Sequence, residues 1–261
     1  MSKGFSRRFF VKFAGVTSAS AAGAAIAPGN HSSPNSTPTS SDISTTANRS
    51  LIPAATAQDS LPPAAYRTYE FFTPEEALFV EAVVDRLIPS DSVGPGALEL
   101  GAAYYIDRQM TGIYGQGDRL YLEGSFQQGA STQGYQLPLR PREIYRIGIS
   151  DVDQYCRNNF SGQHFSQLSP PQQETVLSGM ESGEVELETI PAQLFFNHLL
   201  QNTTEGYFCD PIHGGNRDMG SWTMLGFPGA RATFIEDVGR ADRVIYPPVS
   251  LAQIVAQSGI Q

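Results

Sequence analysis

The chain has 261 residues, of which 40% are hydrophobic and 10% aromatic, so it holds enough apolar material for one ordinary domain with appendages. Its formal net charge at pH 7 is −9. Residues 1–27 carry four cationic side chains and no acid, so the remaining residues carry −13. An acidic body without a basic stripe argues against nucleic acid as a partner and against direct docking on anionic lipid.

The N-terminus has the pattern of a twin-arginine export signal. The Arg7-Arg8 pair is followed by Phe10 and Lys12 at the offsets of that pattern, within the sequence SRRFFVK. The weakly apolar stretch that follows is short for a membrane span, which needs about 20 apolar residues. A basic start, a modest apolar middle and small residues at the end predict a signal peptide over residues 1–27. The alternative is a disordered basic tail, which would not require the phenylalanine and lysine at those offsets.

A low-complexity stretch separates this signal from the rest. Residues 28–67 are rich in Ser, Thr, Pro, Asn and Ala and contain almost no large apolar side chains. Such a composition cannot bury enough surface to offset the entropy of ordering the chain. We therefore predict a disordered linker that tethers the folded body to the signal.

The folded body, residues 68–246, is predicted to be all-α. Its first helix begins with Thr73 as N-cap, Pro74 at the first helical position and Glu76 at the third. Apolar residues then recur at helical spacing as far as Pro89.

The later elements repeat this pattern of helices separated by turns. In chain order we predict a helix over residues 97–110, a long Gly- and Gln-rich loop over 111–140, helices over 141–160 and 170–180, and a long helix opening at Ile190-Pro191. No run alternates apolar and polar residues, so no sheet is predicted. Residues 247–261 are predicted to be a C-terminal tail with a short amphipathic turn. The fold class is therefore a single irregular helical domain.

One segment concentrates unusual residue types. The signature segment, residues 205–229, reads EGYFCDPIHGGNRDMGSWTMLGFPG and contains the only Trp and one of the two Cys. Pro211 and the Gly214-Gly215 pair break any helix and indicate a tight loop, which we expect the preceding helix to hold rigidly. Because Trp and Arg often anchor protein interfaces, we predict a partner surface here, although a buried structural turn would explain the same glycines. The predicted interface residues, the first three of them displayed at the surface, are Asn216, Arg217, Asp218, Trp222 and Phe227.

The signature segment resembles that of the gluconate 2-dehydrogenase subunit 3 family. The resemblance extends from about Phe72 to Gly229, and residues 205–222 with Gly226-Phe227-Pro228-Gly229 are its most specific part. His213 stands where family members often have Tyr.

The resemblance implies a function as well as a fold. Members are small subunits of membrane-bound, flavin-dependent sugar and sugar-acid dehydrogenases. It implies a larger flavoprotein subunit that holds FAD and a multihaem cytochrome c subunit that passes electrons to membrane quinone. The large subunit commonly lacks its own signal, so the small one supplies it at the twin-arginine translocon. We therefore expect a periplasmic protein that associates with the inner membrane through its complex.

The residues themselves indicate no self-contained catalytic centre. There is no Gly-x-Gly-x-x-Gly after a predicted strand, and no Cys-x-x-Cys-His for covalent haem. A metal site built from Asp210, His213 and Asp218 is the alternative. It would make the chain a free-standing periplasmic metal-dependent enzyme, or a binding module that uses the same loop.

The two cysteines are candidates for a disulfide. Oxidising surroundings outside the cytoplasm favour pairing, and a bridge between Cys156 and Cys209 would staple the signature segment to the body. Two buried free thiols, or a mixed bridge to a partner, are the alternatives.

Overall fold

The computed structural model describes residues 68–122, 124–130, 132–242 and 244–258. Within these ranges the chain forms helices and no β-strand, so the all-α prediction is confirmed. The predicted export signal and linker lie outside the described residues. The α-helices are α1 (Pro74–Leu87), α2 (Ala102–Thr111), α3 (Ile113–Gln116), α4 (Pro141–Asn159), α5 (Pro170–Ser182), α6 (Ala192–Phe208), α7 (Gly220–Leu225) and α8 (Leu251–Ser258).

Helix α1 begins as its capping signals predict. The Thr73 hydroxyl accepts a hydrogen bond from the Glu76 N–H at 3.3 Å, and the Glu76 carboxylate accepts one from the Thr73 N–H at 2.9 Å. These reciprocal bonds satisfy two donors at the helix end. The buried face of α1 then packs into the main core through Phe79, Val80 and Val83.

Helix α2 begins five residues later than predicted. Gly101 has a φ of +81°, a left-handed conformation that interrupts the helix, and residues 97–101 form turns instead. Farther along α2, the buried Asp107 accepts hydrogen bonds from the backbone N–H groups of Glu70, Phe71 and Phe72 at 2.8–3.0 Å. This carboxylate fixes the position at which the chain enters the body.

Helix α6 is the central element of the core. It packs against α1, α2, α4, α5 and α7. Gly206 on α6 allows a close approach, because a Cβ there would lie 2.8 Å from the Tyr105 ring of α2. The signature segment continues directly from α6, so the core determines where the segment lies.

Two further irregular segments lie between helices. The predicted loop over residues 111–140 begins with the end of α2 and the one-turn helix α3, and its described residues from 117 onward are irregular. The described residues of 226–250 connect α7 to α8. Helix α8 lies within the predicted tail and packs on the 3₁₀ helix Pro211–His213. In the described ranges, no helix is both long enough and apolar enough to cross a membrane.

Candidate functional site

The signature segment folds as a chain of short helices. Helix α6 ends at Phe208, the 3₁₀ helices Pro211–His213 and Arg217–Met219 follow, and α7 closes the segment. The backbone is left-handed at Gly214, Asn216, Asp218 and Met219, with φ of 100°, 43°, 54° and 55°. Positive φ at three non-glycine residues so close together is strained and persists only where neighbouring contacts enforce it.

Asn216 is the buried centre of this segment. Its side-chain N–H donates to the Cys209 carbonyl at 2.9 Å, and its side-chain oxygen accepts from the Ser221 N–H at 3.0 Å and the Ser221 hydroxyl at 2.7 Å. Its backbone N–H donates to the Gly206 carbonyl at 3.0 Å. The prediction that Asn216 lies at the surface is wrong, because the side chain is 0% exposed and holds the two ends of the segment together.

Gly215 brings the loop against α6. A Cβ at this position would lie 2.0 Å from the Gly206 carbonyl oxygen and 2.9 Å from the Cys209 sulfur. No other residue type fits there without a shift of the backbone. The close contact lets the Asn216 N–H reach its acceptor on α6.

Trp222 supports the segment from inside. The indole is 6% exposed, and its Nε1–H donates to the Phe208 carbonyl at 2.8 Å. It therefore does not offer a partner the exposed anchor that the sequence suggested, because its ring is buried and its donor is already bonded within the segment. Phe227 stacks edge-on against it at 5.2 Å between ring centroids and remains 46% exposed.

The polar residues proposed as a metal site are not arranged as one. The Asp210 carboxylate accepts from the Ile212 N–H at 3.1 Å and, far along the chain, from the Leu251 N–H at 2.8 Å. It therefore caps a 3₁₀ helix and fixes the start of α8, while His213 and Asp218 are exposed. No group of three or more His, Cys, Asp or Glu in the described ranges could hold a metal ion, so the metal hypothesis is not supported.

The solvent-accessible side chains of the segment, here called its outward side, include both charged and apolar groups. Asp218 is exposed and Arg217 is half-buried. Exposed apolar side chains also occur here, with Ile212 at 47%, Leu225 at 57% and Phe227 at 46%. These side chains are the part of the segment that a partner protein could contact.

The predicted disulfide is not formed. Cys156 and Cys209 are both free cysteines. Cys156 is fully buried in the core, where desolvation raises the pKa of its thiol to about 12. The Cys209 thiol donates instead to the Gly206 carbonyl at 3.4 Å, and burial raises its pKa to about 11. The two sulfurs thus occupy separate environments, each used in packing.

Several residues that hold the site were missed by the sequence analysis. Ser221 and the contact from Asp210 to α8 are examples, and Tyr207 donates to the Pro95 carbonyl at 2.9 Å. None of these contacts has a local sequence signal, because each depends on the folded geometry of the loop or on a partner far along the chain. The predicted export residues Arg7, Arg8, Phe10 and Lys12 lie outside the described residues.

Comparison with known proteins gives one match. The family model described as gluconate 2-dehydrogenase subunit 3 matches residues 74–229 of the chain, from the first residue of α1 to the end of the signature segment. No curated protein and no solved structure matches the chain.

Proposed function

This chain belongs to the gluconate 2-dehydrogenase subunit 3 family, and we propose that it is the small, non-catalytic subunit of a FAD-dependent sugar or sugar-acid dehydrogenase complex. The observation that carries this proposal is the family match over residues 74–229. In the complex, FAD belongs to a larger flavoprotein subunit and haem c to a multihaem cytochrome subunit. The complex is periplasmic and associates with the inner membrane.

The internal bonds of the signature segment support a structural role in this chain. The side-chain amide of Asn216 bonds to Cys209 through its N–H and to Ser221 through its oxygen, and the Asp210 carboxylate accepts from backbone N–H groups. These groups hold the backbone and are not directed at a substrate. The segment is therefore suited to present a fixed surface to another protein.

The surface offered to the flavoprotein subunit is the outward side of this segment. Phe227, Leu225 and Ile212 supply apolar contact area, and Arg217 and Asp218 supply charge. Asn216 and Trp222 contribute by fixing the backbone behind that surface, which lowers the entropy lost on binding.

Export is the second part of the proposal. The Arg7-Arg8 pair with Phe10 and Lys12 would direct the chain to the twin-arginine translocon. Since that route carries folded proteins, a flavoprotein subunit bound to this chain would cross the membrane with it. The partner would then need no signal of its own.

The experiment replaces both arginines of the signal. In cells that express the full chain and its flavoprotein subunit, Arg7→Lys with Arg8→Lys should leave the flavoprotein and its dehydrogenase activity in the cytoplasm. Lys3→Gln changes a charge in the same stretch but keeps the arginine pair, so it should export normally. Undiminished periplasmic activity in the double variant would contradict the carrier role.

A further inference from the structure

Arg217 occupies a fixed position on the outward side of the signature segment. Its backbone N–H donates to the Leu100 carbonyl at 3.0 Å, which ties it to the turn before α2. Its neighbours Asn216 and Asp218 are both left-handed. The bond to Leu100 and the buried amide of Asn216 therefore hold the backbone that carries the arginine.

The guanidinium of Arg217 has no partner within the part of the chain that the structure describes. Its Nε is buried and makes no hydrogen bond, and no acidic side chain in those ranges forms an ion pair with it. Within those ranges, Arg217 is the one arginine with a buried side-chain nitrogen that lacks a hydrogen bond. By comparison, Arg146 pairs with Glu76, and Arg231 stacks over the Tyr246 ring at 3.7 Å.

An unpaired buried donor weakens the fold that contains it. So does the left-handed backbone on either side. Features that weaken a free fold while being held in place are characteristic of binding sites. The planar guanidinium is complementary in shape and charge to a carboxylate, which is the anionic group that another protein can supply.

We propose that Arg217 is the charged anchor of the partner surface and that it pairs with a carboxylate side chain of the flavoprotein subunit. This inference rests on the proposed function and names the chemistry of its partner. The exposed Phe227 and Leu225 of the same segment would add apolar contact area to the interface. A charge pair of this kind also makes association sensitive to salt.

The first arm of the test measures the full-length chain alone. Arg217→Met keeps the apolar stem and removes the unpaired donor, so the midpoint of thermal unfolding should stay the same or rise by about 2–4 °C. Arg231→Met removes the same charge at the stacked arginine and should lower the midpoint. A fall with Arg217→Met as large as that of Arg231→Met would show a structural role for Arg217 and overturn the inference.

The second arm measures binding of the full chain to the FAD-containing subunit of its complex at low and high ionic strength. Arg217→Met should weaken binding roughly 10- to 100-fold and flatten its salt dependence. Arg217→Lys keeps the charge without the planar fork, so its affinity should lie between those of Arg217→Met and the unsubstituted chain. Arg231→Met should bind within about 2-fold of the unsubstituted chain.

The outcomes of the second arm separate the two claims. If Arg217→Met binds as tightly as the unsubstituted chain, with the same salt dependence, the anchor is disproved and the proposed function stands. If the unsubstituted chain itself does not bind the flavoprotein subunit, the proposed function fails and this inference fails with it.

Discussion

The signature segment and the loop over residues 117–140 are both long, irregular and rich in glycine, but they are held in different ways. In the signature segment, bonds run to other parts of the body, as with the Arg217 N–H to the Leu100 carbonyl and the Tyr207 hydroxyl to the Pro95 carbonyl. In the other loop, glutamine side chains accept mainly from the loop's own backbone. Gln133 accepts from Ala130 at 2.7 Å, and Gln136 accepts from Gly129 at 2.7 Å.

The difference shows what makes a loop a fixed surface. In the 117–140 loop, the Tyr135 ring packs edge-on against His198 of α6 at 5.1 Å between ring centroids. Tyr121 of the same loop is 94% exposed. The signature segment has buried anchors along its length. Bonds that leave a loop and end in the core restrict it far more than bonds that stay within it, so the signature segment is the better prepared of the two for binding.

The largest expected effect on stability comes from disrupting the close contact between the signature segment and α6. Gly215→Ala places a Cβ 2.0 Å from the Gly206 carbonyl oxygen, so we expect a loss of about 3 kcal/mol or more in the free energy of unfolding measured in urea. Gly134→Ala in the other loop meets nothing within 4 Å and loses only the freedom of a positive φ of 86°, which costs about 1 kcal/mol. Equal losses would remove the contrast between the loops.

Removal of the buried amide should have the next largest effect. Asn216→Ala leaves the Cys209 carbonyl and the Ser221 donors without partners, and the expected loss of stability is about 2–4 kcal/mol. The control is Gln133→Ala, whose exposed bond should be worth no more than about 0.5 kcal/mol. Chemical unfolding of both variants measures the difference. A loss below about 1 kcal/mol for Asn216→Ala would show that the amide does not hold the segment.

The pH dependence of stability should report the burial of the Cys209 thiol. Its pKa is raised by burial from 9.0 to about 11, so the unfolded chain loses this proton at a lower pH than the folded chain. The stabilisation is therefore complete below pH 9 and is lost as pH rises from 9 to 11, by about 1–2 kcal/mol. Urea unfolding across this range should show a smaller fall for Cys209→Ala than for the unsubstituted chain. Parallel curves would contradict the burial of the thiol.

The smallest effects separate the two aromatic residues of the segment. Trp222→Phe loses the bond to Phe208 and should cost about 1 kcal/mol of stability. Phe227→Ala removes a ring that is 46% exposed, so its effect on stability should be less than about 1 kcal/mol while binding of the flavoprotein subunit weakens. Thermal unfolding together with a binding titration distinguishes them. A stability loss for Phe227→Ala larger than that for Trp222→Phe would show that the Phe227 ring stabilises the segment rather than forming its binding surface.

The parts of the fold that the sequence predicts are those with local causes. Thr73, Pro74 and Glu76 lie within one turn, so their capping pattern identifies the start of α1 without knowledge of the rest. The predicted start of α2 is wrong because Gly101 has a left-handed backbone that interrupts the helix. The spacing of apolar residues continues through Gly101 and gives no sign of this interruption.

The candidate site was predictable in position but not in orientation. The glycines and Pro211 locate the tight loop correctly. Burial of Asn216 and Trp222 depends on acceptors at Cys209 and Phe208, which become close only after the loop folds back on α6. Residue type alone therefore assigned Asn216 to the surface and Trp222 to a partner interface, whereas the fold buries both side chains.

The most direct test of the proposed role is isolation of the full-length chain from its native membranes at low salt, with the flavin spectrum and the masses of the co-eluting chains recorded. We expect a flavin-containing subunit in a fixed ratio to this chain, released as the salt concentration rises. Elution of this chain without any flavoprotein, or oxidation of a sugar acid by this chain alone, would contradict the proposal.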